Sequence, residues 1–153
     1  MAHDSDEVRH ARTGPAPLVR HVDRDQAGIG GSAGVGEARR RGEEYLLERR
    51  LFRRKVTGEV IDPEWLRSSF ATWWHYDVLR GLEYLRDAGV APDERIVEAI
   101  AVVERDRDPG RRWALQNVYA GEAHFQMEDG EGRPSRWNTL RAMRVLDWFT
   151  QLG

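Results

Sequence analysis

The sequence predicts an all-α protein made of helical hairpins, and three observations predict it. Apolar residues recur at helical spacing in about four stretches. Two of those stretches are an imperfect internal repeat. Between them the chain is punctuated by Gly, Pro and Asp, and no alternating run is long enough for a convincing strand. The repeat sets Trp74-His75-Tyr76-Asp77-Val78-Leu79-Arg80-Gly81-Leu82 beside Ser135-Arg136-Trp137-Asn138-Thr139-Leu140-Arg141-Ala142-Met143. Asp77 then falls on Asn138, Leu79 on Leu140, Arg80 on Arg141 and Gly81 on Ala142. A repeated helix implies a unit that buries its apolar face only by stacking on a neighbour.

Residues 1–36 differ from the rest. They carry Pro15 and Pro17, end in a glycine cluster from Gly28 to Gly36, and hold no period, so a disordered tail is expected there. The glycine cluster lacks the preceding strand and the Lys-Ser/Thr ending of a phosphate-binding loop. Residues 37–153 are expected to be one helical domain.

The first helix is predicted over Glu37–Lys55, with Tyr45, Leu46 and Phe52 in a broad apolar stripe. Thr57-Gly58 turns the chain, and Asp62-Pro63-Glu64 starts a short helical turn with Asp62 as N-cap. The second helix is predicted over Trp74–Asp87, with Trp74, Val78, Leu82 and Leu85 on one stripe and Gly89 as its stop. Pro92-Asp93 opens a third helix that reaches Arg107, and Asp108-Pro109-Gly110 ends it. Arg111–Pro134 reads as a long loop. Ser135 caps a final helix over Arg136–Gln151. Leu46-Leu47-Glu48-Arg49 echoes Val102-Val103-Glu104-Arg105, so the helices alternate as two types, the order of a hairpin array with inner and outer helices.

Composition narrows the function. The chain has 153 residues and a formal net charge of -2, with no basic excess to suggest a nucleic-acid partner. The basic clusters near Arg39 and Arg53 are interspersed with carboxylates, the pattern of a solvated helix face. There is no cysteine, which excludes disulfides, thiolate zinc sites and thiol catalysis. No run is apolar enough for a membrane span, and no signal peptide opens the chain, so a cytoplasmic location is expected.

These residues resemble the α/α toroid of squalene cyclases and protein prenyltransferase β subunits. The segment Asp108-Pro109-Gly110-Arg111-Arg112-Trp113-Ala114-Leu115 looks like the Gly-x-Trp turn that closes outer helices there. Thr72–Leu82 and Arg133–Arg141 are similar to motifs in the C-terminal part of bacterial squalene-cyclase-like or prenyltransferase-like proteins. The resemblance spans Ala38–Trp148, roughly three quarters of the chain. It implies an incomplete toroid of α/α type, since this chain supplies fewer helices than a closed ring needs. A truncated relative, a gene fragment or one piece of an assembly is the expectation. Relatives that protonate their substrate use an Asp-x-Asp-Asp motif, to which Asp106-Arg107-Asp108-Pro109 is the nearest approach. Relatives that bind zinc use Asp, Cys and His. Neither set is present, so no cofactor, no metal and no catalytic residue is assigned.

In such a toroid the inner helices start near a central cavity. Helix starts offer free N–H groups, and aromatics with a few polar groups are usual pocket linings. The resemblance therefore makes Trp74, His75, Tyr76, Asp77, Arg136, Trp137 and Asn138 the candidate ligand-binding residues, for an isoprenoid or another apolar small molecule. Each has a plainer reading: Trp74, Trp137 and Trp148 as core, His75 as a satisfied structural histidine, Asp77 and Asn138 as helix-start residues. Arg80 and Arg141 suggest a structural bond to a neighbouring carboxylate. His75 with Asp77 forms a base-and-orienter pair only if that segment is not helical. His124 and Glu128 have helical spacing for a metal but no third partner. A different class of function is an interaction module, a homo-oligomer or a helical partner seated on the edges of the incomplete ring. Incomplete burial of Trp65, Trp73, Trp148 and Phe149 is the feature that favours it.

Overall fold

A computed structural model describes residues 32–119 and 126–151. Helix α1 spans Ser32–Glu48, α2 Val78–Asp87, α3 Val97–Arg105 and α4 Arg136–Thr150. Single 3-10 turns cover Pro63–Leu66 and Glu94–Ile96, the second running straight into α3. Strand β1 (Trp113–Ala114) pairs antiparallel with β2 (Pro134–Ser135), Trp113 opposite Ser135. The described chain is mostly helical with this one small sheet. The sheet adds to the long loop expected over Arg111–Pro134: its two ends are tied together, and Leu115 N–H also donates to the Arg133 carbonyl at 2.8 Å.

Helix α1 is shifted toward the N-terminus relative to its prediction. It already includes Gly34 and Gly36, which were expected in the tail. A glycine costs only about 1 kcal/mol relative to alanine, and propagating an existing helix is far easier than nucleating one. Residues 1–31, the rest of the expected tail, lie outside the described residues. At its other end α1 stops at Glu48, short of Lys55. Arg50 and Leu51 take positive φ (48° and 72°), which swings the chain so that Leu51 and Phe52 both enter the core. The apolar pair outweighs the helical propensity of the Arg-rich run. The chain then doubles back through Gly58, at φ 73°, with Arg53 bridged to Val60.

The core gathers around α2. Val78, Leu79, Leu82 and Leu85 are buried against Ile96, Ile100 and Val103 of the third helical segment and Ala142 and Val145 of α4. Each of these side chains other than Ala142 contributes about 1.5–3 kcal/mol on burial. Trp113 fills the far side and its indole N–H donates to the Val103 carbonyl at 2.7 Å, closing the end of α3. Gly81 sits where α2 passes the loop after α1. An added Cβ would collide with the Tyr76 hydroxyl and stand 2.9 Å from Leu51 Cδ2.

Helix ends follow their local chemistry. Asp62 accepts from Glu64 N–H at 2.9 Å ahead of Pro63, as predicted, and Asp93 accepts from Arg95 N–H at 2.8 Å. Gly89, at φ 72°, ends α2 in a Schellman motif: its N–H donates to Arg86 and that of Val90 to Leu85. Helix α2 itself begins at Val78, not Trp74. Asp77 is its N-cap, in extended conformation, accepting from Arg80 N–H at 2.7 Å. Because Trp74–Tyr76 precede the cap, their side chains are released from the helical stripe on which Trp74 was expected. Ser135 caps α4 and accepts from Asn138 N–H at 2.9 Å, as predicted. The two caps therefore match Asp77 with Ser135, one helical turn upstream of the Asn138 that the repeat aligns with it.

Candidate functional site

The starts of α2 and α4 meet in a buried polar knot. Its third strand of chain is Ser68-Ser69, an extended segment between the Pro63 turn and α2. Ser69 donates twice to Asp77 Oδ2, from Oγ at 2.6 Å and from its N–H at 3.1 Å. Arg141 reaches in from α4. Its Nε donates to Glu83 at 2.7 Å and its Nη1 to the Ser69 carbonyl at 2.8 Å and Asn138 Oδ1 at 3.0 Å. Its Nη2 stands 3.8 Å from Asp77 Oδ1. Asn138 Nδ2 donates to the carbonyls of Ser68 and Ala114 at 3.3 and 3.2 Å. One guanidinium thus faces two carboxylates, and each buried polar group has a partner, which is what makes their burial tolerable. The knot is filled by protein. It positions the elements around it and leaves Ser69 and Asp77 with no exposed surface.

Compared with protein-family models, with curated proteins and with solved structures, the chain matches none.

The seven candidate residues divide into two groups. Asp77 and Asn138 belong to the buried knot. Tyr76 is partly buried beside them and donates to the Leu51 carbonyl at 2.8 Å. Burial, and then the nearby Asp77 charge, push its hydroxyl pKa well above the ordinary tyrosine value. Trp74, His75, Arg136 and Trp137 lie outside the knot. Trp74 is 81% exposed and its neighbour Trp73 60% exposed, with ring centroids 6.4 Å apart. Trp137 is 42% exposed and stacks on Phe70 at 5.2 Å. These exposures overturn the expectation that Trp74 and Trp137 are core residues. Trp148, in contrast, packs partly buried against the core.

His75 and Asp77 do not form a catalytic pair. The His75 ring stacks on Tyr119 at 3.4 Å, while Asp77 is engaged by Ser69, Arg80 and Arg141. Burial, followed by the Asp77 charge, raises the Tyr119 pKa. Arg141 bonds a carboxylate with its side chain as the repeat suggested, but the Arg80 side chain pairs with none among the described residues. Its Nη1 clamps two carbonyls, those of Trp73 and His75, each at 2.6 Å. That clamp holds the Trp73–His75 bend, in which Trp73 has φ 46°. The aromatic ledge is thus supported by a charged donor beneath it.

Glu128 has a place unrelated to a metal: its Oε1 accepts from Ser135 Oγ at 3.0 Å and from Trp137 N–H at 3.2 Å, at the start of α4. A carboxylate there complements the helix dipole. His124, its suggested companion, lies outside the described residues. Among the described residues no helix is long and apolar enough to cross a membrane. Asp106, from the nearest approach to an acid motif, caps the end of α3 and accepts from Arg105 at 2.9 Å.

Sequence reasoning missed Ser68, Ser69 and Glu83. Nothing in the spacing of Ser69 links it to Asp77. The Trp73-Trp74 pair was visible, but its exposure followed only from where the α2 cap fell.

Proposed function

We propose that this chain is a helical interaction module that presents Trp73 and Trp74 to another protein. The observation that carries the reading is the exposure of two consecutive tryptophans, 60% and 81%, on a bend clamped by Arg80. Tryptophan is the residue type most enriched among residues that dominate binding energy, and a pre-ordered bend lowers the entropy lost on association. Trp65, Trp148 and Phe149 are also only partly buried, which is the feature expected of such a module. Trp137, Leu140 and Met143 on α4 are also exposed apolar side chains.

The test is capture of partners by the intact chain and by Trp73→Ala/Trp74→Ala, followed by calorimetry with the captured partner, and sedimentation over a concentration series for self-association. The reading expects association that the double variant weakens at least about tenfold, a normal loss for such residues. A monomer that captures the same proteins with and without both tryptophans defeats it.

A second reading follows the resemblance: an isoprenoid or other apolar ligand held by a larger toroid to which this chain contributes. The Phe70–Trp137 stack at the start of α4 favours it, being an aromatic surface of the kind that lines apolar pockets. A long-chain isoprenoid alcohol that leaves the melting temperature unchanged counts against it.

A further inference from the structure

An open groove of about 620 Å3 runs beside α4, between that helix and the β2 segment. Leu140 and Met143 form its apolar lining, and Arg112, Arg133 and Arg136 stand around it against a single lining carboxylate among the described residues, Asp129. Leu140 and Met143 are 40% and 42% exposed and three residues apart, so they are neighbours on one helical face. The opposite face of α4 buries Asn138, Arg141, Ala142 and Val145, so the exposed pair is not part of an unfinished core. Arg112 lies 3.4 Å from Asp108 and Arg136 donates to the Met127 carbonyl at 3.2 Å. A guanidinium has five donors, so both keep donors for a further acceptor.

We infer that this groove docks an amphipathic helix from another protein, apolar along one face and acidic along its edge. This deepens the interaction-module reading and rests on it. Apolar anchors at helical spacing would cover Leu140 and Met143, while flanking Asp or Glu would meet the three guanidiniums in charge-assisted, often bidentate, hydrogen bonds. Charge argues against a second copy of this chain in the same groove. A two-fold pairing of α4 with its own copy would bring the Arg112, Arg133 and Arg136 set of each molecule against its equivalent.

Selection from a displayed library of helical peptides, each about 18 residues or five turns long, tests the inference with defined probes. On the intact chain the enriched peptides should carry apolar residues at helical spacing with Glu or Asp beside them. On Arg133→Glu/Arg136→Glu, shown folded by circular dichroism, the preference should invert toward Lys and Arg. Leu140→Asp should weaken the best acidic peptide at least about tenfold. Enrichment without an acidic bias, an unchanged preference on the charge-reversed protein, or displacement of the peptide by decanoate at equal strength would overturn the inference. Peptide selectivity lost while Trp73- and Trp74-dependent capture persists defeats the groove alone, whereas loss of both defeats the module reading as well.

Discussion

The hydroxyl of Ser69 donates to the carboxylate of Asp77 at 2.6 Å, with both residues fully buried. The same carboxylate caps α2 through Arg80 N–H. Asp77 thus joins a helix start, a neighbouring strand of chain and, through Arg141, the start of α4. Removing it as Asp77→Ala takes away a cap worth about 1 kcal/mol and leaves the buried Ser69 hydroxyl and N–H without their acceptor, for a total loss on the order of 2–4 kcal/mol. Asp77→Asn keeps an acceptor for the cap and should lose less. Urea denaturation of the two variants measures the difference, and equal losses would show that a neutral acceptor cannot stand in for the carboxylate, so that its charge carries the contribution.

Gly81 is held small by its neighbours. Gly81→Ala would normally gain helical propensity, but its Cβ meets the Tyr76 hydroxyl and Leu51. Over-packing should win, with a net destabilisation of about 1–3 kcal/mol. Adding Tyr76→Phe removes the nearest atom, so the double variant should be more stable than the sum of the two single losses predicts. A strictly additive pair would mean that Leu51, not the Tyr76 hydroxyl, sets the limit.

Acid should loosen the contact between the loop after α1 and α3. The hydrogen bond from Arg53 holds the Glu98 carboxyl below its ordinary range, with the Arg53 and Arg50 charges adding to it. A carboxyl depressed in the folded state stabilises the protein above its unfolded pKa and loses that contribution as pH falls through the folded one. The gap in stability between the intact chain and Glu98→Gln should therefore be widest near about pH 7 and close toward about pH 3. Urea midpoints at a series of pH values read this directly. A gap that stays constant across the series would remove Glu98 from the acid response.

Tryptophans on the two sides of the fold should behave oppositely. Trp74→Ala, in an exposed ring, should change stability by no more than about 0.5 kcal/mol. Trp113→Ala should cost about 3–5 kcal/mol, because it opens a cavity and leaves the Val103 carbonyl without its indole donor. Thermal melts of both variants suffice, and comparable losses would place Trp74 in a load-sharing contact.

The helical class, the Asp62 and Ser135 caps, the Gly58 and Gly89 turns and the α3 and α4 spans were legible because each depends on nearby residues. Hydrogen bonds from a cap reach two or three positions, and a glycine turn needs only its own φ. The α2 start was misread for the same reason turned round. Trp74 and Val78 have helical spacing, yet Asp77 is a better cap than any residue before Trp74, and Ser69 holds it in extended form. The candidate site was half legible: Asp77, Asn138 and Arg141 were singled out from the repeat, but their partners Ser69, Ser68 and Glu83 carry no pattern of their own.

By itself, then, the sequence determined which segments could be helices, where most of them end, and that thiol and thiolate-zinc chemistry are excluded. Tertiary structure decided which polar residues are buried and which tryptophans are shown. Burial of Leu51 and Phe52 ended α1 early, and the Asp77–Arg141 knot drew two helix starts together. That same knot left Trp73 and Trp74 outside, on a bend held by Arg80. Contacts between residues far apart in the chain carry no local signature, because their energy is realised only when the whole core closes around them.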